Sequence, residues 1–172
     1  YDLNYMKRIN DTYGHAAGDA YLRRMAHLLM REEPVSRGLS FRIGGDEFVV
    51  LLDHLGSSEM EAIPQLEKTA KYILQTLTQP YFLADSEYHN SASIGISLFG
   101  IEACENIQDP IKRADMALSD AKNYGRNTYR FFDPEIQSQV QERAEIDAGL
   151  RQALEKNQLV LYYQPQVNGA QQ

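Results

Sequence analysis

Arg42-Ile43-Gly44-Gly45-Asp46-Glu47-Phe48 is the stretch on which the reading of this chain turns. Phe41 and Ile43 alternate with Arg42 ahead of the glycines, and Phe48-Val49-Val50-Leu51-Leu52 follows them. Two strand-like runs around Gly-Gly predict a β-hairpin, because a two-residue turn needs positive φ, which glycine adopts without strain. The turn then lifts Asp46 and Glu47 to its tip. Glycines beside acids let a phosphate approach backbone N–H groups while a carboxylate holds a divalent cation. The same composition equally suits a solvated turn.

Ahead of the hairpin, residues 1–3 read as the end of a strand, and Asn4 to Tyr13 as a short helix stopped by Gly14. Gly18-Asp19 opens a longer helix with Leu22, Met25, Ala26 and Leu29 at i, i+3, i+4, i+7 spacing. Beyond the hairpin a helix is expected from about Ile63 to Leu77. Pro64 would sit in its first turn, with Leu66, Ala70, Ile73 and Leu77 on the buried face. Tyr81 to Phe99 holds two strand-like runs, the second being Ala92 to Leu98. Ile111, Ala114, Ala117, Leu118 and Ala121 define another amphipathic helix, ended by Gly125, and Thr128 to Phe132 closes as a strand. The order predicts an α+β sandwich, with helices covering a mostly antiparallel central sheet.

The chain has 172 residues, 43% hydrophobic and 24% charged, as soluble globular proteins do. A formal charge of -7 argues against a broad nucleic-acid surface, which would need a basic face. It leaves room for a nucleotide neutralised locally by a metal ion and a few cations. Cys104 has no partner for an internal disulfide, which fits a reducing, cytoplasmic compartment. No apolar run approaches the ~20 residues of a membrane span, so no membrane contact is expected from this segment. The chain starts at Tyr1 without Met, which leaves room for an upstream signal or anchor.

Candidate functional residues cluster near the start. Asp2 ends a strand and places a carboxylate at the sheet's edge, where ligands gather in many open sheets. Lys7 and Asn10 share a helix face, with Asp11 beside them. Asp19, at a helix start after Gly18, reads on its own first as an N-cap, with a ligand contact as the alternative.

Taken in order, Asp2 to Asp11, then Gly14-His15-Ala16-Ala17-Gly18-Asp19, then Arg42 to Phe48 resemble the GGDEF family of diguanylate cyclases. Ser93-Ile94-Gly95, Lys112-Arg113-Ala114-Asp115 and Ala121-Lys122-Asn123-Tyr124-Gly125-Arg126-Asn127 continue the resemblance. It covers about residues 1–132 and implies a nucleotidyl-cyclase-like fold. The implied activity condenses two GTP molecules into cyclic di-GMP, with two domains meeting as a homodimer. The implied metal donors are Asp2, the Leu3 carbonyl and Asp46, holding Mg²⁺ or Mn²⁺ through hard oxygens. Glu47 would be a general base or a further metal contact. Gly44 and Gly45 would lie against the α-phosphate. Lys7, Lys122 and Arg126 would neutralise the terminal phosphates. Asn10 and Asp19 would read the guanine edge, and His15 would be a packing or turn residue.

Two departures from the family pattern stand out. Asn4 replaces an Asp common at that position, a variation not read as a loss. Val35-Ser36-Arg37-Gly38 stands where many cyclases carry an inhibitory Arg-x-x-Asp product site, so product inhibition through that site is not expected.

After Asp133-Pro134 the character changes. Residues 133–158 read as a polar linker helix with a sparse apolar stripe at Val140, Ile146, Leu150 and Leu154. A strand is expected from Leu159 to Tyr163. Leu150 to Leu154 followed by Leu161-Tyr162-Tyr163-Gln164-Pro165-Gln166-Val167 resembles the opening of an EAL phosphodiesterase domain, assigned to residues 159–172. The resemblance implies a protein that extends in both directions, and a stretch that is weakly active or unstable alone.

Overall fold

The computed structural model describes residues 1–4, 6–30, 38–83, 86–100, 108–156, 158, 160 and 162. The chain divides into two compact units, Tyr1–Gln137 and Ser138–Gln172. In chain order the elements are β1 (Asp2–Leu3), α1 (Met6–Tyr13), α2 (His15–Leu29), β2 (Leu39–Gly44), β3 (Glu47–Leu51), α3 (Glu59–Leu77), β4 (Tyr81–Leu83), β5 (Ser86–Tyr88), β6 (Ala92–Ile96), α4 (Gln108–Asn123), β7 (Tyr129–Phe131) and α5 (Pro134–Glu155).

Five strands form one sheet in the order β2-β3-β1-β6-β7. All neighbours are antiparallel except β6 and β7, which run parallel. The class is therefore α+β with a mixed sheet. A parallel pair needs a crossover connection, and α4 supplies it between β6 and β7. Short as it is, β1 is the middle strand: Asp2 pairs with Glu47 on one side and Ser93 on the other. That position puts the Asp2 backbone at the centre of the unit.

The helices cover the sheet with short apolar stripes. α1 buries Met6 and Ile9, then stops where Gly14 takes φ +83°, a left-handed value that suits glycine. α3 buries Ala62, Ile63, Ala70, Ile73 and Leu77, and each large aliphatic side chain stabilises by about 1.5–3 kcal/mol when fully covered. α4 buries Ala117, Leu118 and Ala121. Small residues there let it approach β6 closely. A Cβ added at Gly95 would collide with the Ala114 carbonyl and the Leu118 backbone.

Several expectations need correction. α2 starts at His15, four residues before Asp19, so Asp19 lies within the helix and does not cap it. α3 starts at Glu59, which puts Pro64 beyond the first turn. Glu59 and Glu61 fill that first turn instead, where carboxylates favour the helix dipole. Ile111, expected on the buried face of α4, is 44% exposed. The run after Tyr81 is not one strand: β4 and β5 form a separate two-stranded sheet. The hairpin turn is Gly45-Asp46, not Gly44-Gly45, because Gly44 pairs with Glu47 after a register shift between Arg42 and Gly44.

Val35, Ser36 and Arg37 of the inhibitory-site comparison lie outside the described residues, as do Cys104 and most of the stretch from Leu159 to Gln172. Val160 and Tyr162 are described and exposed. Among the described residues no helix is long and apolar enough to cross a membrane.

Candidate nucleotide and metal site

The hairpin turn and the first two helices enclose a cleft of about 470 Å³. Lys7, Asn10, Asp19, Gly45 and Asp46 all line it. The chain separates these residues widely; β1 as the middle strand brings them together, because α1 leaves its end while β3 pairs alongside. The Leu3 N–H donates to the Asp46 carbonyl at 3.1 Å, tying the turn to the strand that carries Asp2.

Asn10 sits half-buried on α1 facing α2, and the close approach depends on Gly18. A Cβ at Gly18 would overlap the Asn10 side-chain oxygen. Lys7 and Asp19 are exposed at the rim. His15 is also exposed and lines the cleft at the start of α2, directly after the Gly14 turn, so of the two roles expected the structure fits the turn and not the packing one. Arg42 was missed by the sequence reading. Its Nε and a terminal guanidinium nitrogen donate to the Gly45 carbonyl at 3.0 and 2.6 Å, clamping the turn while the side chain borders the cleft. An arginine three residues before a glycine turn is the signal that could have found it.

Gly45 has φ +50°, whereas Gly44 does not need a left-handed backbone. A Cβ at either would meet nothing within 4 Å. The chain's own packing therefore gives no reason for glycine at 44, and open space on the turn is what a closely approaching ligand requires.

A second group faces β1 from α4. The Lys122 ammonium lies 3.1 Å from an Asp2 carboxylate oxygen. Asp2 is buried, and burial pushes its carboxyl above the ordinary 3.8; the Lys122 contact pulls it back, while the charges of Asp46 and Glu47 raise it further. After α4, Gly125, Arg126 and Asn127 all take positive φ, at 105°, 63° and 47°. This tight left-handed turn, strained at the two non-glycine residues, aims Arg126 back at β1. Its guanidinium reaches the Asn4 side-chain oxygen at 3.5 Å.

Asn4 is 1% exposed and uses both ends of its amide: the nitrogen donates to the Ser91 hydroxyl at 3.0 Å, and the oxygen accepts from the Ser93 hydroxyl at 3.2 Å. An Asp could not donate to Ser91, so the amide suits this buried position.

The structure thus gathers the sequence-derived candidates into two adjoining groups. Lys7, Asn10, Asp19, Gly45 and Asp46 share the cleft, with Gly44 at the strand end beside the turn. Asp2, Lys122 and Arg126 lie against β1, and Leu3 and Glu47 join the groups through the β1–β3 ladder. Among the described residues no three His, Cys, Asp or Glu side chains are arranged as a metal cluster. The donor chemistry nevertheless fits a divalent cation. The charges of Asp46 and Glu47 raise the Asp2 carboxyl, carboxylate oxygens are hard ligands, and Asp2 already holds a cationic group.

Comparison with known proteins identifies the family. The family model "Diguanylate cyclase, GGDEF domain" matches residues 1–128. The bifunctional diguanylate cyclase/cyclic di-GMP phosphodiesterase MucR of Pseudomonas aeruginosa is 36% identical over 166 residues, 96% of this chain and 23% of the relative. The cyclic di-GMP phosphodiesterase PdeR of Escherichia coli is also 36% identical, over 96% of this chain and 24% of the relative. The chain thus spans about a quarter of the length of these curated relatives. A crystal structure of an EAL/GGDEF domain protein from M. capsulatus superposes with a TM-score of 0.64 at 33% identity, covering 77% of this chain and 81% of that one. Sheet order, hairpin and family match converge: residues 1–128 place this chain in the GGDEF family of diguanylate cyclase domains.

Proposed function

We propose that the domain binds GTP in the cleft between α1, α2 and the Gly45-Asp46 turn, and condenses two such molecules into cyclic di-GMP. The observation that carries the reading is the convergence of Lys7, Asn10, Asp19 and Asp46 on one cleft of about 470 Å³. Asn10 and Asp19 take the base. A carboxylate accepts from the guanine N1–H and N2–H₂, and adenine presents no such pair of donors. Lys7, Lys122 and Arg126 neutralise phosphate oxygens, each charge-assisted contact contributing roughly 1.5–3 kcal/mol. Gly44 and Gly45 let the backbone lie against the α-phosphate. Asp2, the Leu3 carbonyl and Asp46 hold Mg²⁺ or Mn²⁺, with Glu47 as a further metal contact or the base for the 3′-hydroxyl. When bound, the ion supplies charge stabilisation at the phosphate as pyrophosphate leaves. Two substrates imply two domains meeting face to face as a homodimer, since positioning carries much of the catalysis in phosphoryl chemistry.

A second reading keeps the binding and drops the turnover: a GTP-binding module that regulates a phosphodiesterase domain in a longer protein. One observation favours it, PdeR's name as a phosphodiesterase. In either case α5 is read as the linker to an EAL domain, and the segment is placed in the cytoplasm. Incubating the protein with GTP and Mg²⁺ separates the readings. Cyclic di-GMP accumulation supports the cyclase; saturable GTP binding without cyclic product supports the module.

A further inference from the structure

Lys122 presents an inconsistency within the proposed site. It is assigned to phosphate, yet its ammonium is 3.1 Å from Asp2, the carboxylate assigned to the metal. A metal ion and the ammonium would draw on the same carboxylate, and a cation on Asp2 would repel the Lys122 head.

The surroundings explain the pairing. Asp2 is almost wholly covered, its side chain 10% exposed, on a strand with a neighbour on each side. It cannot turn away into water. Asp46 and Glu47 face it with the same sign of charge, and Lys122 is the cation whose charge acts directly on it. Lys122 is 31% exposed, at the end of a long flexible stem, so its head can swing while its backbone stays fixed. That backbone is anchored firmly, because α4 lies so close to β6 that Gly95 has no room for a Cβ.

We propose that Lys122 is a resident counter-ion for Asp2, displaced when a divalent cation takes the carboxylate and thereby delivered to the triphosphate. The inference rests on the reading of Asp2 as a metal donor. Its consequence is positive coupling between metal and nucleotide: each ligand removes a partner from an ion pair that opposes the other, and the coupling is reciprocal. Without metal, Lys122 is held back from phosphate. Without nucleotide, it competes with the metal.

Mn²⁺ binding followed by electron paramagnetic resonance, without nucleotide, tests the first half. Lys122→Gln removes the competitor, and its Mn²⁺ affinity is expected to rise about fivefold over the parent, as a partly covered ion pair warrants. GTP binding in EDTA tests the second half. Asp2→Asn releases Lys122, so metal-free GTP affinity is expected to rise severalfold, and the double variant Asp2→Asn, Lys122→Gln is expected to lose that gain. Unchanged or weaker Mn²⁺ binding by Lys122→Gln, or an Asp2→Asn gain that survives in the double variant, overturns the inference. Mn²⁺ binding by the parent that Asp2→Asn leaves undiminished overturns the metal reading of Asp2 itself.

Discussion

Replacing Asp2 by Asn is expected to cut cyclic di-GMP formation by about a thousandfold or more without lowering thermal stability at pH 7. The loss follows from removing a proposed metal donor at the α-phosphate, where several kcal/mol of charge stabilisation act, and each ~1.4 kcal/mol is tenfold in rate. The stability half follows from the Asp2 environment. Burial first, then the charges of Asp46 and Glu47, hold its carboxyl above the ordinary 3.8, and Lys122 only partly offsets them. The folded chain therefore binds this proton more tightly than the unfolded chain does. That stabilising effect is fully present below the unfolded pKa and is lost as pH rises through the raised folded one. At pH 7 the ionised side chain is a net cost to the fold. Calorimetry on both proteins checks this: the variant's Tm should equal or exceed the parent's at pH 7, and the advantage should shrink toward pH 4. A variant several degrees less stable at pH 7 would show that the Lys122 pair outweighs the burial.

Gly95→Ala is expected to destabilise by about 3 kcal/mol or more, a fall in Tm of roughly 10 °C. The new methyl would overlap the Ala114 carbonyl and the Leu118 amide nitrogen, and would lie 2.9 Å from the Leu118 Cα. All three are backbone, so no side-chain rotation relieves the clash and α4 must move off β6. Because α4 carries Lys122, GTP binding should weaken in parallel even below the melting temperature. Thermal denaturation together with GTP titration at 20 °C measures both. A Tm within about 2 °C of the parent would contradict the close packing from which the Lys122 argument starts.

Much of this was legible in the sequence for physical reasons. The β1–α1 unit, α4 and the hairpin are marked by alternation, helical spacing and glycine stops, and the corresponding elements form near the expected places. Misreadings occurred where local signals compete. Gly44-Gly45 suggests that both glycines turn, yet the ladder claims Gly44 and hands Asp46 the second turn position. Pro64 argues for a helix start, yet Ser58 and the acids after it begin α3 a turn earlier. No glycine or proline separates Leu83 from Ser86, so β4 and β5 read as one run. Sequence also cannot show that Lys122 faces Asp2, because that contact is made by the parallel β6–β7 crossover and not by anything near either residue. The candidates themselves were identifiable one by one. What the fold adds is their division between a cleft at the hairpin turn and a covered carboxylate paired with a cation.

Crystals grown with Mn²⁺ and a non-hydrolysable GTP analogue, measured at the manganese absorption edge, test the central assignment most directly. The account predicts an anomalous peak within coordinating distance of the Asp2 and Asp46 carboxylates and the Leu3 carbonyl, with guanine against Asn10 and Asp19 and Lys122 moved from Asp2 to phosphate. A peak that leaves Asp2 still paired with Lys122, or a nucleotide bound away from the Gly45-Asp46 turn, would contradict it.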